Sequence, residues 1–461
     1  MTTLFSSDAR ISKRALTVID VLESAGFEAW CVGGCVRDGL RGHAVADIDI
    51  ACSALWEDTA RACRAAGMKV RETGVKHGTV TVVFDGEPFE VTTYRVDGSY
   101  SDSRHPDAVR FVRSIEEDLA RRDFTINAMA YHPRRGLLDP FGGRKDLGEG
   151  ILRTVGDPAK RFDEDALRIL RACRFVSQLG YRIDSAAYRA MLAGKSKLCR
   201  VSRERITAEL QKLLTGPHAR RALMETVDVL SAVLPELVAM KGFDQCTPYH
   251  AYDVLEHTAR AVEAAPPYPL ARWAALFHDM GKPAAFFKEE GGRGHFYGHA
   301  KISTALARGA MERLSLPARM RDDVLALVER HDDAIEATPK AVKRALARLG
   351  GDASLFRALC ELKRADAAAQ APEYAARRMA RADELLRVLQ EIVERKEPFS
   401  RRQLAVDGRD AMAAGIPQGP RVGAALDAAL DAVIDGEVPN EREALLAFLE
   451  RRAEEDRGEG E

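Results

Sequence analysis

CVGGCVRDGLRGHAVADIDIACS, residues Cys31 to Ser53, reads as a strand, a glycine turn, a short helix and a second strand. Gly33 and Gly34 interrupt the apolar run Trp30-Cys31-Val32. A glycine pair lets backbone N–H groups close on a phosphate with no side chain in the way. Val36 to Leu40 suits a helical turn whose start carries partial positive charge, and Arg37 adds a fork of donors. Asp47-Ile48-Asp49-Ile50 follows. Residues two apart on a strand share a face, so Asp47 and Asp49 are expected to face one way and Ile48 and Ile50 the core. Two carboxylates on one face repel unless a cation lies between them, and Mg²⁺ takes oxygen ligands that it shares with triphosphates. A lone Gly-Gly is ordinarily a turn and a lone Asp-x-Asp a strand end. In this order they compose a phosphate cradle followed by a metal-binding pair.

Outward from that stretch, Ile11 to Ser24 has helical apolar spacing at Ala15, Val18, Ile19 and Leu22, closed by Gly26. Leu55 to Ala66 reads as a helix; Thr79–Phe84, Phe89–Tyr94 and Val109–Val112 read as strands, with Asp85-Gly86 a hairpin turn. Glu90 is either a third carboxylate beside the metal or a surface acid on an edge strand. RVDGSYSDSRHPDA, from Arg95 to Ala108, has the Gly, Ser, Asp and Pro content of a mobile loop. In Arg121–Ala130 (RRDFTINAMA), Asp123 is expected to cap a helix starting at Phe124. Arg122 is then in reach of a triphosphate, and Asp123 or Asn127 of a ribose hydroxyl. Leu137 to Leu147 has the turn residues of a loop closing this first part.

Phe162 to Phe175 opens a helix that stops near Gly180. Asp165, Arg168, Arg171 and Arg174, spaced by three, follow a slanting ridge. Such a ridge is ordinarily a set of surface ion pairs. The chemical alternative is sharper. An Asp accepts from an exocyclic amino group and an Arg donates to a ring acceptor. Cytosine and adenine offer that pair, whereas uracil and guanine put a carbonyl at the matching position. Asp165 with Arg168 would therefore select C and A. Ser202 in Val201–Ile206 is a reasonable N-cap for a following helix that Gly216-Pro217 ends.

These motifs, in this order, resemble the nucleotidyltransferase superfamily of DNA polymerase beta. Within it they look like the bacterial CCA-adding tRNA nucleotidyltransferases and poly(A) polymerases. The resemblance runs from about residue 28 to 215. It implies that Asp47 and Asp49 hold Mg²⁺, that Gly33, Gly34, Arg37, Arg122, Asp123 and Asn127 bind nucleotide, and that Asp165 and Arg168 read the base edge. It implies further that Arg171 and Arg174 complete the pocket, that the segment holding Asp97, Gly98, Asp102, Arg104 and Pro106 is a flexible loop helping the final adenosine step, and that the Ser202 helix is architectural. The implied substrates are tRNA, ATP and CTP.

A second site is legible further on. Six of the 11 histidines fall between His250 and His331, among them the adjacent pair His278-Asp279 before Gly281-Lys282-Pro283. His257, His278, Asp279, His299 and His331 on successive helices suggest metal ligation. His295 could join, Asp332 could replace or supplement His331 as the last ligand, and His250 is left outside. The pattern resembles the HD phosphohydrolase superfamily, which implies one or two divalent ions. Imidazole-rich ligands favour a transition metal such as Ni²⁺ or Mn²⁺.

Composition bounds the rest. The chain has 461 residues, enough for several domains, and a formal net charge of -1, so RNA binding must come from local patches. Lys340, Lys343, Arg344 and Arg348, and Arg377, Arg378 and Arg381, are candidate phosphate contacts on solvated faces. Eight cysteines without a CxxC pair suit reduced thiols in a cytoplasm. No run is apolar enough to span a bilayer, and the N-terminus lacks a signal-peptide core. The expected class is α+β: a mixed-sheet nucleotidyltransferase head (1–150), a helical nucleotide-selecting body (151–240), an HD domain (241–340) and a helical tail (341–461) that frays from Glu454. Rivals are a poly(A) polymerase, a CC-adding or A-adding enzyme, or a metal phosphohydrolase with an RNA-binding head. The sequence leaves the oligomeric state open.

Overall fold

The computed structural model describes residues 11–45, 47–97 and 109–458, in two compact units, Met1–Pro235 and Glu236–Glu461. Boundaries drawn at 150 and 340 fall inside these units. The first unit opens with α1 (Lys13–Ser24), whose inward face carries Ala15, Val18, Ile19 and Leu22 and whose Ser12 hydroxyl caps the Ala15 N–H at 3.1 Å. Then come β1 (Ala29–Val32), α2 (Gly34–Leu40), β2 (Asp49–Cys52), α3 (Trp56–Ala65), β3 (Lys69–Gly74), β4 (Thr79–Phe84), β5 (Glu87–Thr93), β6 (Arg95–Asp97), β7 (Val109–Phe111), α4 (Ile115–Ala120), β8 (Ala130–His132), β9 (Gly136–Leu138) and α5 (Gly143–Glu149). One seven-stranded sheet runs β3-β4-β5-β2-β1-β8-β9; β2 and β5 are parallel and its other pairs antiparallel. Trp30, Val32, Ala51, Tyr94, Leu119 and Ala130 form a core on one face of it. The β4–β5 turn has Asp85 and Gly86 both at positive φ (47° and 80°), the primed geometry that matches strand twist.

A helical body completes the unit: α6 (Pro158–Glu164), α7 (Leu167–Leu179), α8 (Ser185–Gly194), α9 (Arg203–Leu214) and α10 (Ala219–Leu230). Gly180 ends α7 in the left-handed region at φ 71°. The second unit is almost wholly helical: α11 (Leu237–Met240), α12 (Val254–Ala264), α13 (Pro269–Phe277), α14 (Lys282–Ala285), α15 (His299–Arg313), α16 (Ala318–Arg330), α17 (Pro339–Arg348), α18 (Ala353–Ala368), α19 (Pro372–Glu394), α20 (Gly408–Ala413), α21 (Pro420–Asp435) and α22 (Arg442–Gly458). The last three pack Ala411, Ala425, Ala429, Leu445 and Leu449 into a small core of their own.

Several expectations need correction. No helix begins at Phe124: Thr125–Asn127 is one 3₁₀ turn and the chain then enters β8 beside β1. Phe124, Ile126, Ala128, Met129 and Ala130 are all buried, so no solvent face exists for an amphipathic helix. The helix expected over 162–175 is two, because Asp165 is extended (φ -145°, ψ 105°) between α6 and α7. Asp47 precedes β2 rather than lying on it, yet the alternation holds: Asp47 and Asp49 are exposed while Ile48 and Ile50 are buried. Leu137–Leu147 contains the end of β9 and much of α5, and Arg95–Asp97 pairs with β7. Gly98, Asp102, Arg104 and Pro106 lie outside the described residues. Instead of fraying from Glu454, the chain stays helical to Gly458. On α17, Lys340 and Arg344 pair with Asp435, and Lys343 with Glu397, which leaves the stripe's role toward phosphates an expectation.

Candidate functional site

At the top of the sheet, β1 runs into Gly33, at φ 75°, and α2 starts at Gly34. A Cβ on Gly33 would stand 2.7 Å from Arg122 Nη1, so the turn needs glycine both for its dihedral and for the close guanidinium. Asp49 on β2 is in register with Glu90 on β5, an interior strand. Glu90 thus lies beside Asp49 on an interior strand and not on an edge. Although the Asp49 side chain is solvent-accessible, desolvation by the surrounding sheet and the charges of Glu90 and Asp47 push its carboxyl up, against the pull of Arg122. An all-oxygen donor set of this kind suits Mg²⁺.

A cavity of ≈ 780 Å³ opens from this point, lined by Gly33, Gly34, Asp47 and Asp49 at one end and by the body helices at the other. Its walls carry Arg37, Arg121, Arg122, Arg168, Arg171, Arg174, Arg205 and Lys212, a cationic lining suited to a polyphosphate. Asn127 Oδ1 accepts from Arg37 Nη1 at 2.7 Å, fixing that fork beside the glycine turn. Asp123 is buried and takes the Phe124 N–H (2.8 Å), Asn127 Nδ2 (3.1 Å) and Arg171 (2.7 Å). Burial pushes its carboxyl up, but the Arg171 charge and these hydrogen bonds outweigh it and hold the group well below the ordinary 3.8. Arg174 is buried against Glu209 at 3.1 Å; burial and neighbouring Arg171 bring its guanidinium down to about 10.

Asp165 and Arg168 line the same cavity without pairing to each other. Asp165 Oδ1 accepts the Leu167 N–H at 3.0 Å and Oδ2 accepts Arg205 Nη2 at 2.8 Å. Arg168 donates to Arg161 O (3.0 Å), Arg121 O (2.9 Å) and Glu164 (2.7 Å). Arg205 has a place here that the motif alone did not disclose.

In the second unit, His257, His278, Asp279 and Asp366 form one group able to hold a metal ion, and Asp279, His299 and His331 another. Asp279 is common to both and fully enclosed. Its Oδ2 is 3.2 Å from His257 Nε2 and from His278 Nε2; its Oδ1 is 3.4 Å from His299 Nε2 and 3.7 Å from His331 Nε2. Each ring is oriented from behind by a backbone carbonyl on Nδ1: Ala369, Ala275, Phe296 and Val328 respectively, at 2.7–3.2 Å. This leaves every Nε2 facing the carboxylate, as metal-ligating imidazoles require. Burial opposes charge on His278, yet Asp279 and Asp366 push it up to about 10. Asp366, on α18, is a ligand candidate that sequence reading missed, since no histidine or motif flags it. His295 pairs with Glu289 at 3.1 Å, and Asp332 lines the adjoining ≈ 340 Å³ cavity; neither belongs to the ligand groups. His250 lines that cavity too, pushed down to about 3 by burial and by Lys282.

A glycine turn, an in-register carboxylate pair and an arginine-lined cleft define a nucleotidyltransferase. The family model described as the poly A polymerase head domain matches residues 29–153. Models for a probable RNA and SrmB-binding site of polymerase A and for a putative second domain of tRNA nucleotidyltransferase match 180–241 and 323–449. The CCA-adding enzyme of Geobacillus stearothermophilus is 37% identical over 440 residues, 95% of this chain and 96% of that one. That of Lacticaseibacillus paracasei is 33% identical over 436 residues, covering 94% and 95%. The chain belongs to the family of CCA-adding enzymes. A solved Bacillus stearothermophilus CCA-adding enzyme in complex with CTP superimposes with a TM-score of 0.72 at 34% identity, covering 97% of this chain and 98% of that one. The Thermotoga maritima enzyme complexed with tRNA shares the fold at a TM-score of 0.57 and 21% identity, covering 95% and 96%.

Proposed function

We propose that this nucleotidyltransferase adds C, C and A to the 3′ end of tRNA from CTP and ATP. The observation that carries the reading is that Asp47 and Asp49 share one cleft with Arg37, Arg122, Asp165 and Arg168. Mg²⁺ held by Asp47 and Asp49, with Glu90 beside them, would supply the charge that makes the RNA 3′-hydroxyl a better nucleophile. Arg37, Arg122 and the N–H groups after Gly33 hold the triphosphate in line. The 3′-hydroxyl gives up its proton to solvent as its oxygen bonds to the α-phosphorus, the bond from that phosphorus to the bridging oxygen of the β-phosphate breaks, and pyrophosphate leaves toward the arginines. Arg171 and Arg174, fixed by Asp123 and Glu209, shape the pocket; Asp165 and Arg168 choose the base. A cytoplasmic setting fits the eight free cysteines and the absence, among described residues, of any helix long and apolar enough to cross a membrane. The test is incorporation of CMP and AMP into tRNA lacking its 3′ end, with each nucleotide alone and both together. Product length separates CCA addition from poly(A), CC-only or A-only synthesis. Asp47→Ala and Asp49→Ala should each abolish incorporation while tRNA binding persists; near-normal incorporation by both would sink the assignment.

A second reading rests on the four Nε2 atoms converging on Asp279. We infer an HD-type phosphohydrolase site, with a divalent transition metal supplying the Lewis acid for cleaving a phosphate ester such as a small cyclic nucleotide. Lys282, buried and 2.7 Å from Asp279, and Arg293 on the cavity wall would hold the phosphate. The metal-stripped protein should regain hydrolysis of a 2′,3′-cyclic nucleotide with Ni²⁺ or Mn²⁺. No hydrolysis with any metal would make the cluster structural.

A further inference from the structure

We propose that Tyr297, stacked on His295 at the rim of the second unit's cavity, is the platform for the base of a mononucleotide whose phosphate reaches the histidine cluster. The proposal rests on the phosphohydrolase reading of that cluster and adds the part of the substrate that carries no charge. Phe287–Lys288 and Gly294–His295 pair as a short antiparallel ribbon with Phe287 opposite His295. Just beyond it, Phe296 packs on Phe286 at 5.6 Å and under Lys282 at 5.4 Å. The His295 and Tyr297 rings instead lie nearly parallel, 7° apart with centroids separated by 5.3 Å. Glu289 holds His295 Nε2 at 3.1 Å, so the backing ring is fixed. Tyr297 is 76% exposed, which leaves its outer face open to a further ring. Both residues line the ≈ 340 Å³ cavity that also holds Asp279, His299 and His331. Only Gly298 separates Tyr297 from His299, so their Cα atoms lie within about 7 Å of each other. That short reach matches one nucleotide, phosphate inward and base at the rim, and the cavity is at the small end of ligand pockets. Arg293 and Arg378 lie over the Tyr249 ring at 5.5 and 5.4 Å, and with Lys282 they give the wall the charge of a phosphate site. A bare phosphate would use the cations and leave the aromatic pair idle; a nucleotide uses both. Every base has a π-face, so such a platform favours nucleotides as a class without choosing among them. This also gives His295 a role outside the ligand groups, as backing for the platform.

Hydrolysis should be measured on adenosine 2′,3′-cyclic phosphate and on glycerol 1,2-cyclic phosphate, which has the same ring ester and no base, with Mn²⁺ or Ni²⁺ loaded. The ratio of kcat/KM for the two substrates should fall roughly tenfold in Tyr297→Ala and stay at the wild-type value in Tyr297→Phe, which keeps the ring. His295→Ala should lower the ratio part of the way. Binding supplies a readout apart from turnover. 2′-AMP, which has no triphosphate for the head cleft, should bind the metal-free protein roughly tenfold more weakly in Tyr297→Ala, whereas Mn²⁺ affinity should be unchanged in both Tyr297→Ala and His295→Ala. If Tyr297→Ala leaves the ratio at the wild-type value, by slowing both substrates or neither, the platform is refuted while the phosphohydrolase reading stands; an altered sedimentation profile in that variant would then reassign the ring to a contact between copies. A loss of Mn²⁺ affinity in His295→Ala would make that ring a ligand and overturn the proposal. Failure of the intact protein to hydrolyse either ester with any metal would remove the phosphohydrolase reading and the proposal with it.

Discussion

Gly33 shows how tightly single residues are specified at the nucleotide end of the cleft. It combines a positive φ with a guanidinium 2.7 Å from where a Cβ would stand. Gly33→Ala should cost about 1–2 kcal/mol from backbone strain and push Arg122 off the turn. Nucleotide KM should rise in steady-state addition assays. Asp123 is specified by charge. Asp123→Asn removes the partner of Arg171 and should lower stability by about 2–3 kcal/mol in urea unfolding, the range for a hydrogen bond to a charged group. The sign of its pH dependence follows from a depressed folded-state carboxyl. Its contribution is complete above the ordinary value of 3.8 and is lost as pH falls through the depressed one. The gap between wild type and variant should stay constant from neutrality down to about pH 5 and narrow below about pH 4.

At the scale of elements, α7 and α9 are held together by charges as well as leucines. Arg174 on α7 is buried against Glu209 on α9. Glu209→Ala would leave that guanidinium enclosed without its partner and should destabilise the unit by about 3–5 kcal/mol, seen as a lower thermal midpoint. Which elements the sequence disclosed depended on how locally each was determined. Helix α1, the Asp85-Gly86 turn and the glycine turn follow from spacing and dihedral preference. RRDFTINAMA did not, because Asp before a mixed run looks like a helix cap. The Asp123 side chain is instead engaged by Arg171, 48 positions away in sequence, and the strand at β8 is imposed by β1. Counting threes puts Asp165 on a ridge, but its extended backbone takes it off the helix, so its partner is Arg205. Asp366 stood hidden in the alanine-rich α18, where nothing short-range separates a ligand from a surface acid.

For the whole molecule, the two candidate sites lie in separate compact units. His278→Ala with Asp279→Ala should therefore leave nucleotide addition within about twofold of wild type, an activation difference under about 1 kcal/mol, while removing any metal-dependent hydrolysis. Asp47→Ala should do the reverse. Loss of addition in a folded double variant would show that the sites are coupled.

The four carbonyls behind the imidazoles have a further consequence, one of proton accounting. With Nδ1–H spent on the backbone, a metal can enter only at Nε2, and on His278 that position is protonated at neutral pH, since the group is pushed up to about 10. Uptake of the ion must then expel at least one proton into the buffer. Calorimetric titration of the metal-free protein in two buffers of different ionisation enthalpy should therefore give heats that differ in proportion, and affinity should climb with pH from neutrality toward pH 9. Equal heats in the two buffers would mean that the ion finds the imidazoles already neutral.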